Sequence, residues 1–195
     1  MYLVLEGIDT AGKSTQMAAL RQLFPDAVFT KEPGGTPTGE QIRALLLETG
    51  VRSERAEMLL FLADRSEHIE EVIIPHRQGL IVSDRSVISG MAYAMVKQAF
   101  EIEELLRLNR FATGGILPDF AVILRLHEAE LVRRLGTKAH DAIESRGTEY
   151  LLGIQDELEH AARLLGIPTL VIDASLDVDT ITDQIKEIII TKGAS

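Results

Sequence analysis

The chain has 195 residues and a formal net charge of -10, with 46% hydrophobic and 26% charged residues. This length favours one domain with a sizeable core, and the acidic balance argues against general nucleic-acid binding, which uses basic surfaces. The sequence has no cysteine, which excludes disulfides, cysteine zinc sites and thiol nucleophiles. We see neither a leader pattern at the N-terminus nor an apolar run of membrane-spanning length, so we expect a cytoplasmic protein without a membrane partner.

A strand, a glycine-rich turn and a helix open the chain in that order. Residues 3–5 are an apolar run of strand type, and apolar side chains recur at helical spacing from Met17 to Phe24. The turn between them matches the pattern G-x-x-x-x-G-K-[ST], in which backbone N–H groups converge on phosphate oxygens at the positive end of a helix. We therefore expect the phosphates of a nucleotide to contact Gly7, Ile8, Asp9, Thr10, Ala11, Gly12, Lys13, Ser14 and Thr15. In this loop, Lys13 reaches the outer phosphates and the Ser14 hydroxyl is a candidate magnesium ligand.

Strand-like runs and helical patterns alternate along the rest of the chain. The predicted strands span residues 3–5, 27–30, 80–83, 120–126 and 169–172. The longer predicted helices span residues 53–74, 101–110, 128–135, 148–165 and 177–190. Near-continuous apolar strands in this alternation predict an α/β fold with a parallel sheet and helices on both faces. Because ligands of such folds bind at the carboxyl ends of the strands, polar residues after each strand are candidate site residues.

Charged or glycine-rich segments follow the second and third predicted strands. The first of them contains Glu32, Pro33 and two glycines. It either contacts a ligand or is a turn that only joins the strand to the helix that carries Arg43. The Glu32–Pro33 bond could be cis, which the sequence leaves open. After the third strand, Asp84 is a candidate magnesium ligand and Arg85 a candidate phosphate clamp, the alternative being a surface ion pair.

Shared helix faces supply the remaining candidates. Phe61 and Arg65 lie four residues apart and therefore on one face. They are either an aromatic ring and a guanidinium that grip a planar base or a core Phe beside a solvated Arg. Ser89 and Tyr93 share a face of the next helix in the same way. The five histidines show no metal-ligand spacing.

Together these motifs resemble the bacterial thymidylate kinase family. The family's loop pattern E-G-x-D-G-x-G-K-S-T corresponds to residues 6–15, and its E-P-G-G-T-x-x-G-E-x-I-R pattern to residues 32–43. Its L-F-x-A-D-R-x-x-H pattern corresponds to residues 60–68, and its D-R-x-x-x-S-x-x-A-Y pattern to residues 84–93. The D-x-I-E element of the family's lid corresponds to residues 141–144. These motifs occur in the family's order and cover nearly the whole chain.

The resemblance implies a three-layer P-loop NTPase fold with a five-stranded parallel sheet, flanking helices and a short lid. It implies one domain over residues 1–195, with the lid at about residues 136–150, usually in a homodimer. The implied reaction is the phosphorylation of dTMP to dTDP by ATP with Mg²⁺, in dTTP synthesis. The implied catalytic residues are Asp9, Lys13, Arg85 and Lys138. The implied contacts to dTMP are Asp9, Glu32, Pro33, Arg43, Phe61, Arg65, Arg85, Ser89 and Tyr93, and Arg134 is implied to lie near adenine.

Several positions depart from the family pattern. Thr10 stands where many members have Gly and some have Arg, so the lid is expected to supply the cation that reaches the transferring phosphate. Ala142 replaces the frequent lid Arg, which leaves Lys138 as the first candidate and Arg146 as the second. Other departures are Ser86 for an aromatic residue, Gly90 for a base-reading side chain, Ala94 for Gln and Arg125 for Asp.

Two other functions fit part of this pattern. The first is a kinase for another nucleoside monophosphate or for a nucleoside. The second is a nucleotide-binding switch that hydrolyses ATP slowly and acts through a partner. Arginines after separate strands argue against the switch, because they suit a second anionic substrate.

Overall fold

A parallel sheet forms the centre of the computed structural model, which describes residues 1–136 and 147–193. Within these ranges the sheet has five strands in the order β2-β3-β1-β4-β5. They span Tyr2–Glu6 (β1), Val28–Lys31 (β2), Ile81–Asp84 (β3), Phe120–Arg125 (β4) and Thr169–Asp173 (β5). All neighbouring pairs are parallel. The predicted strands and the predicted fold class are confirmed, with strand ends that shift by a single residue.

The helices of the described residues surround this sheet. They span Lys13–Leu23 (α1), Pro37–Ala44 (α2), Glu54–His68 (α3), Ile74–His76 (α4), Val87–Lys97 (α5), Ile102–Ala112 (α6), Glu128–Leu135 (α7), Thr148–Leu165 (α8) and Val178–Gly193 (α9). Every residue of β1 is buried, as are the first five residues of β4. Because successive side chains point to opposite faces of a sheet, this burial means that helices cover both faces.

Local sequence signals account for the helix ends. The Thr36 and Ser53 hydroxyls accept hydrogen bonds from the N–H groups of Gly39 and Ala56, and so cap α2 and α3. At the other end of a helix, Gly166 terminates α8 in the left-handed conformation with φ of 68°.

The prediction of one helix over residues 53–74 is wrong in its last part. The α-helix α3 ends at His68, and a π-helical turn over Ile69–Ile73 leads into the short α4. In this turn the Ile74 N–H bonds to Ile69 O, five residues back. Pro75 follows, and its missing N–H cannot serve a regular helical ladder. The apolar pattern could not show this change of register.

The carboxyl ends of β2, β3 and β1 lie side by side. The register pairs Asp84 with Leu5 on one side and with Lys31 on the other. The segments after these three strands therefore meet at one edge of the sheet, as the sequence predicts.

Among residues 1–136 and 147–193, none of the helices is long and apolar enough to cross a membrane. The single domain over residues 1–195 and the lid at about 136–150 stay predictions, because residues 137–146 lie outside the described part of the chain.

Candidate active site

The predicted phosphate loop is a tight turn between β1 and α1. Residues Asp9–Ala11 form a 3-10 turn, and Gly12 precedes α1 in the left-handed region with φ of 94°. An ideal Cβ at Gly7 would lie only 2.8 Å from Leu124 O, so the loop leaves no room for a side chain there. Ser14 is exposed in the first turn of α1, where backbone N–H groups attract anions.

Lys13 folds back over this loop. Its Nζ donates to Gly7 O at 2.9 Å and to Ile8 O at 3.2 Å, and it lies 4.0 Å from a carboxylate oxygen of Asp9 and of Asp84. Burial and the nearby Arg85 cation lower the pKa of Lys13 to about 8, against the opposing effect of the two carboxylates. The ammonium group is thus held beside the loop, where the oxygens of a bound phosphate can replace the carbonyls as partners.

Arg85 reaches the same loop from the end of β3. Its Nη2 contacts Asp9 Oδ1, its Nη1 donates to Ser89 Oγ at 3.0 Å, and its guanidinium lies 5.5 Å from the centre of the Tyr93 ring. Burial opposes the charge, but Tyr93, Asp9 and further acids raise the pKa of Arg85 above its ordinary value. The fold therefore brings Asp9, Arg85, Ser89 and Tyr93, all of them predicted site residues, together at the carboxyl edge of the sheet.

The turn after β2 is shaped by its own side chains. The Glu32–Pro33 peptide bond is cis. Arg43 of α2 donates from Nη1 to Pro33 O at 3.0 Å, and Gly34 N donates to Asp64 Oδ1 at 2.8 Å. Arg43 thus lies over the turn, and the turn is fastened to α3.

Arg65 is buried. Its side chain is 2% exposed, its Nη2 forms an ion pair with Glu32, and its Nη1 donates to Asn109 Oδ1 at 2.5 Å. Arg65 and His68 together outweigh the effect of burial and hold the pKa of Glu32 below its usual range. The alternative of a solvated Arg beside a core Phe is therefore wrong, and Phe61 itself is half-buried on the same helix.

Asp84, the predicted magnesium ligand, has a buried carboxylate oxygen beside Lys13. Its Oδ1 is buried and accepts no hydrogen bond from the described residues, although Lys13 Nζ lies 4.0 Å away. A buried carboxylate oxygen without a donor suits a hard cation, which prefers oxygen ligands. Groups of three or more potential ligand side chains are absent from the described residues, so a cation here would need water and phosphate oxygens as further ligands.

Arg134 of α7 connects the phosphate loop to the segment after β5. It donates to Thr10 O at 3.0 Å, to Ala174 O at 2.7 Å and to Glu130 Oε1 at 2.7 Å. This position beside the loop is compatible with the predicted contact to adenine.

Comparisons with known proteins fit this geometry. A thymidylate kinase family model matches residues 5–185. The thymidylate kinase of Sulfurimonas denitrificans is 54% identical over 95% of this chain and 97% of its own length. The thymidylate kinases of Wolinella succinogenes and Aliarcobacter butzleri are 52% and 50% identical, over 99% and 98% of this chain and 100% of their own lengths.

The chain belongs to the thymidylate kinase family. One departure from the thymidylate kinase pattern, the glycine at position 90, has a structural reason. An ideal Cβ at Gly90 would overlap Arg65 Nη2 and lie 3.1 Å from Arg65 Cζ. The guanidinium occupies the space of a side chain at this position, and the amide of Asn109 lies against the guanidinium from α6.

Two further departures have structural partners. Ser86 caps α5, since its hydroxyl accepts from Ile88 N at 3.2 Å, and it donates to Glu6 Oε1 at 2.7 Å. Arg125, at the end of β4, forms ion pairs with Asp156 and Glu159 of α8, both at 2.6 Å. Arg125 therefore fastens α8 to the sheet.

The sequence reasoning missed two residues of this thymidylate kinase site. Glu6 is the first residue of the loop pattern, but the pattern predicts no role for it, and Asn109 lies in none of the motifs. A charged residue that ends an apolar strand is a signal that could have pointed to Glu6. Asn109 carries no comparable signal, because its pairing with Arg65 joins two helices that are distant in the sequence.

The lid predictions lie outside the described residues. They concern Lys138, Ala142, Arg146 and the element at residues 141–144.

Proposed function

We propose that this protein transfers the γ-phosphoryl group of ATP to dTMP, giving dTDP and ADP for dTTP synthesis. The observation that carries the proposal is the cluster of Lys13, Asp9 and Arg85 at the phosphate loop of a thymidylate kinase family member. Two cations from separate strand ends meet there, which suits two phosphorylated substrates better than one.

The transfer needs positioning and charge stabilisation more than acid–base chemistry. A phosphate oxygen of dTMP attacks the γ-phosphorus in line, and the bond to the β–γ bridging oxygen breaks as ADP leaves. The nucleophile is already ionised, so no strong base is required. Lys13 and Arg85 stabilise the charge that spreads over the transferring group.

Ser14 and Asp84 are the proposed residues that hold Mg²⁺. When bound there, the cation would neutralise part of the charge of the substrate phosphates. Two observations support this assignment: Ser14 is exposed at the loop, and Asp84 Oδ1 is buried without a hydrogen-bond donor among the described residues.

The remaining contacts to dTMP are proposed from the family pattern and supported by position. Phe61 stacks on the base, Arg65 bonds its edge, and Tyr93 packs beneath the sugar. Glu32, Pro33, Arg43 and Ser89 complete the predicted set. The Ser89 hydroxyl donates to Glu6 and accepts from Arg85, so its contact to the base is the least supported of these predictions.

The lid is proposed to close over the phosphates, exclude water and supply the cation of Lys138. We also propose a homodimer and a cytoplasmic location. Exposed apolar side chains support the homodimer: Phe111 on α6 is 88% exposed and Leu59 on α3 is 61% exposed, and these two helices contact each other. Light scattering of the purified chain measures its oligomeric state.

The acceptor assay tests the function. ADP release is measured with ATP and equal concentrations of dTMP, dUMP, dGMP or thymidine. We expect dTMP to be the best acceptor, and a better rate with any of the others would contradict the substrate assignment. ATP hydrolysis without acceptor at the rate seen with dTMP would favour a nucleotide switch instead.

A further inference from the structure

Glu6 is a buried carboxylate that the reaction does not use directly. It is the last residue of β1, it is 0% exposed, and it directly precedes the phosphate loop. Burial raises the pKa of Glu6, while hydrogen bonds from two serines counteract the rise. Burying a carboxylate is costly unless it is hydrogen-bonded, so the structure around Glu6 has to supply donors.

The donors come from the start of α5. Ser86 Oγ donates to Glu6 Oε1 at 2.7 Å, and Ser89 N donates to the same oxygen at 3.4 Å. Ser89 Oγ donates to Glu6 Oε2 at 2.5 Å. A hydroxyl has one proton and two lone pairs. Because the Ser89 proton is given to Glu6, a lone pair of Ser89 Oγ is left for Arg85 Nη1, 3.0 Å away.

The backbone of Arg85 is held independently of this chain of hydrogen bonds. Arg85 has a φ of 70°, which is unusual for a residue other than glycine. Its N–H donates to Leu5 O at 2.9 Å, and its carbonyl accepts from Ser83 Oγ at 2.8 Å. These bonds place the Cα, but a long side chain on a fixed Cα still has many rotamers. The contacts of the guanidinium to Ser89, Asp9 and the Tyr93 ring select one of them.

We propose that Glu6 is a positioning residue for Arg85, acting through the Ser89 hydroxyl. Of the guanidinium partners, Asp9 is exposed at the site and is proposed to contact substrate, so its contact to Arg85 changes when a ligand arrives. The link from Glu6 through Ser89 is buried, and it keeps the guanidinium in place during that exchange. This inference rests on the proposed function of Arg85 as a phosphate clamp.

Replacement of Glu6 by Gln is informative because the amide cannot copy the carboxylate. In the variant, the atom that replaces Glu6 Oε1 faces the Ser89 N–H and must be the amide oxygen, which is an acceptor. The amide NH₂ group therefore takes the place of Oε2 and faces Ser89 Oγ. Ser89 would then accept two hydrogen bonds and lose the one that it donates. The bond to Arg85 weakens while the shape of the side chain is kept.

The experiment compares kcat, the KM values of dTMP and ATP, and the Tm of Glu6→Gln, Ser89→Ala and the double variant. We expect each single variant to lower kcat about 10-fold through misplacement of Arg85, and the double variant to fall no further than the worse single one. Multiplying effects in the double variant, or a normal kcat in Glu6→Gln, would overturn the inference.

A control variant separates positioning from simple destabilisation. Thr182→Val removes a buried hydrogen bond to Gln16 at the α1–α9 contact, which includes none of the side chains that contact the Arg85 guanidinium. We expect it to lower Tm without changing kcat, so a matching loss of kcat in this control would overturn the inference. If Glu6→Gln does not fold, Ser89→Ala carries the test alone: a kcat near the wild-type value overturns the proposal.

Arg85→Ala distinguishes a failure of the positioning role of Glu6 from a failure of the proposed role of Arg85. If Arg85→Ala is slow and Glu6→Gln is normal, only the positioning role of Glu6 fails. If Arg85→Ala turns over normally, the proposed role of Arg85 fails and the role of Glu6 fails with it. In the Arg85→Ala background, Glu6→Gln should cause no further loss of kcat.

Discussion

Two arginine–carboxylate pairs in this protein have the same chemistry and opposite surroundings. The Arg65–Glu32 pair is sealed between α3 and the turn after β2, with side chains 2% and 3% exposed. The Arg85–Asp9 pair lies at the phosphate loop, with side chains 16% and 38% exposed. An exposed pair contributes about 0–1 kcal/mol, so an arriving phosphate can compete for its arginine. Removing one partner of a buried pair costs about 3–5 kcal/mol, so the sealed pair belongs to the framework of the site.

The other contacts of each arginine agree with this difference in burial between the two pairs. Arg65 is held by Glu32 and by the amide of Asn109, and Gly90 leaves it the space that it occupies. Arg85 faces the loop and is held from behind by Ser89 and Glu6. Arg85 is thus more open to ligands than Arg65, while Glu6 and Ser89, which support it, are buried.

Arg85→Ala should have the largest effect on catalysis and a small effect on stability. Loss of a phosphate-clamping arginine is expected to lower kcat by roughly 10²- to 10³-fold, while the free energy of unfolding changes little because its partner Asp9 is exposed to solvent. Turnover with saturating dTMP and ATP, together with urea unfolding, checks both. Near-normal turnover would remove Arg85 from the mechanism.

Gly90→Ala tests how tightly Arg65 of the buried Arg65–Glu32 pair is packed. The added methyl would overlap Arg65 Nη2, and the guanidinium cannot move without breaking its bonds to Glu32 or Asn109. We expect a loss of about 1–3 kcal/mol in unfolding free energy and a higher KM for dTMP with little change in the KM for ATP. The matched control is Gly153→Ala in α8, where an added Cβ meets no atom within 4 Å. Equal behaviour of the two variants would contradict the tight packing of Arg65 on Gly90.

The pH dependence of ATP binding should show the loss of the Lys13 proton. Its pKa of about 8 is below the ordinary value, so the ammonium loses its proton in the free protein as the pH rises through 8. ATP phosphates favour the charged form, so binding takes up a proton, and affinity should fall by up to about 10-fold per pH unit above 8. Calorimetry from pH 7.5 to 9.5, in buffers of different ionisation enthalpy, measures both effects. Lys13→Arg stays charged in this range, so a similar decline in that variant would assign the effect to another group.

The sequence was sufficient for the architecture. The apolar run over residues 120–126 predicted a buried parallel strand, and the structure has this strand at Phe120–Arg125. The glycine-rich loop located the carboxyl edge of the sheet, where the site lies. The placement of Asp9, Lys13 and Arg85 at this edge follows from that topology alone. The π-helical turn at Ile69–Ile73 was missed, because apolar spacing does not distinguish it from a regular helix.

The division of roles among the polar residues was not predictable in the same way. Arg65 was expected to be solvated or to face a base, and its sealing depends on Asn109, which lies 44 residues away in sequence. Ser89 was expected to contact dTMP, and the structure adds that its hydroxyl connects Glu6 to Arg85. Such roles depend on which donors remain after each buried acceptor has been satisfied, and only tertiary contacts decide that.

The central claim is that Arg65 is held in a fixed position by its buried partners Glu32 and Asn109, whereas the Arg85–Asp9 pair opens when a phosphate arrives. The most direct measurement compares Glu32→Gln with Asp9→Asn, the same acid-to-amide change in each pair, by urea unfolding and by dTMP-dependent turnover. We predict that Glu32→Gln loses about 3–5 kcal/mol of unfolding free energy, whereas Asp9→Asn loses less than about 1 kcal/mol but most of its turnover. Equal losses of stability in the two variants, or full turnover of Asp9→Asn, would contradict the account.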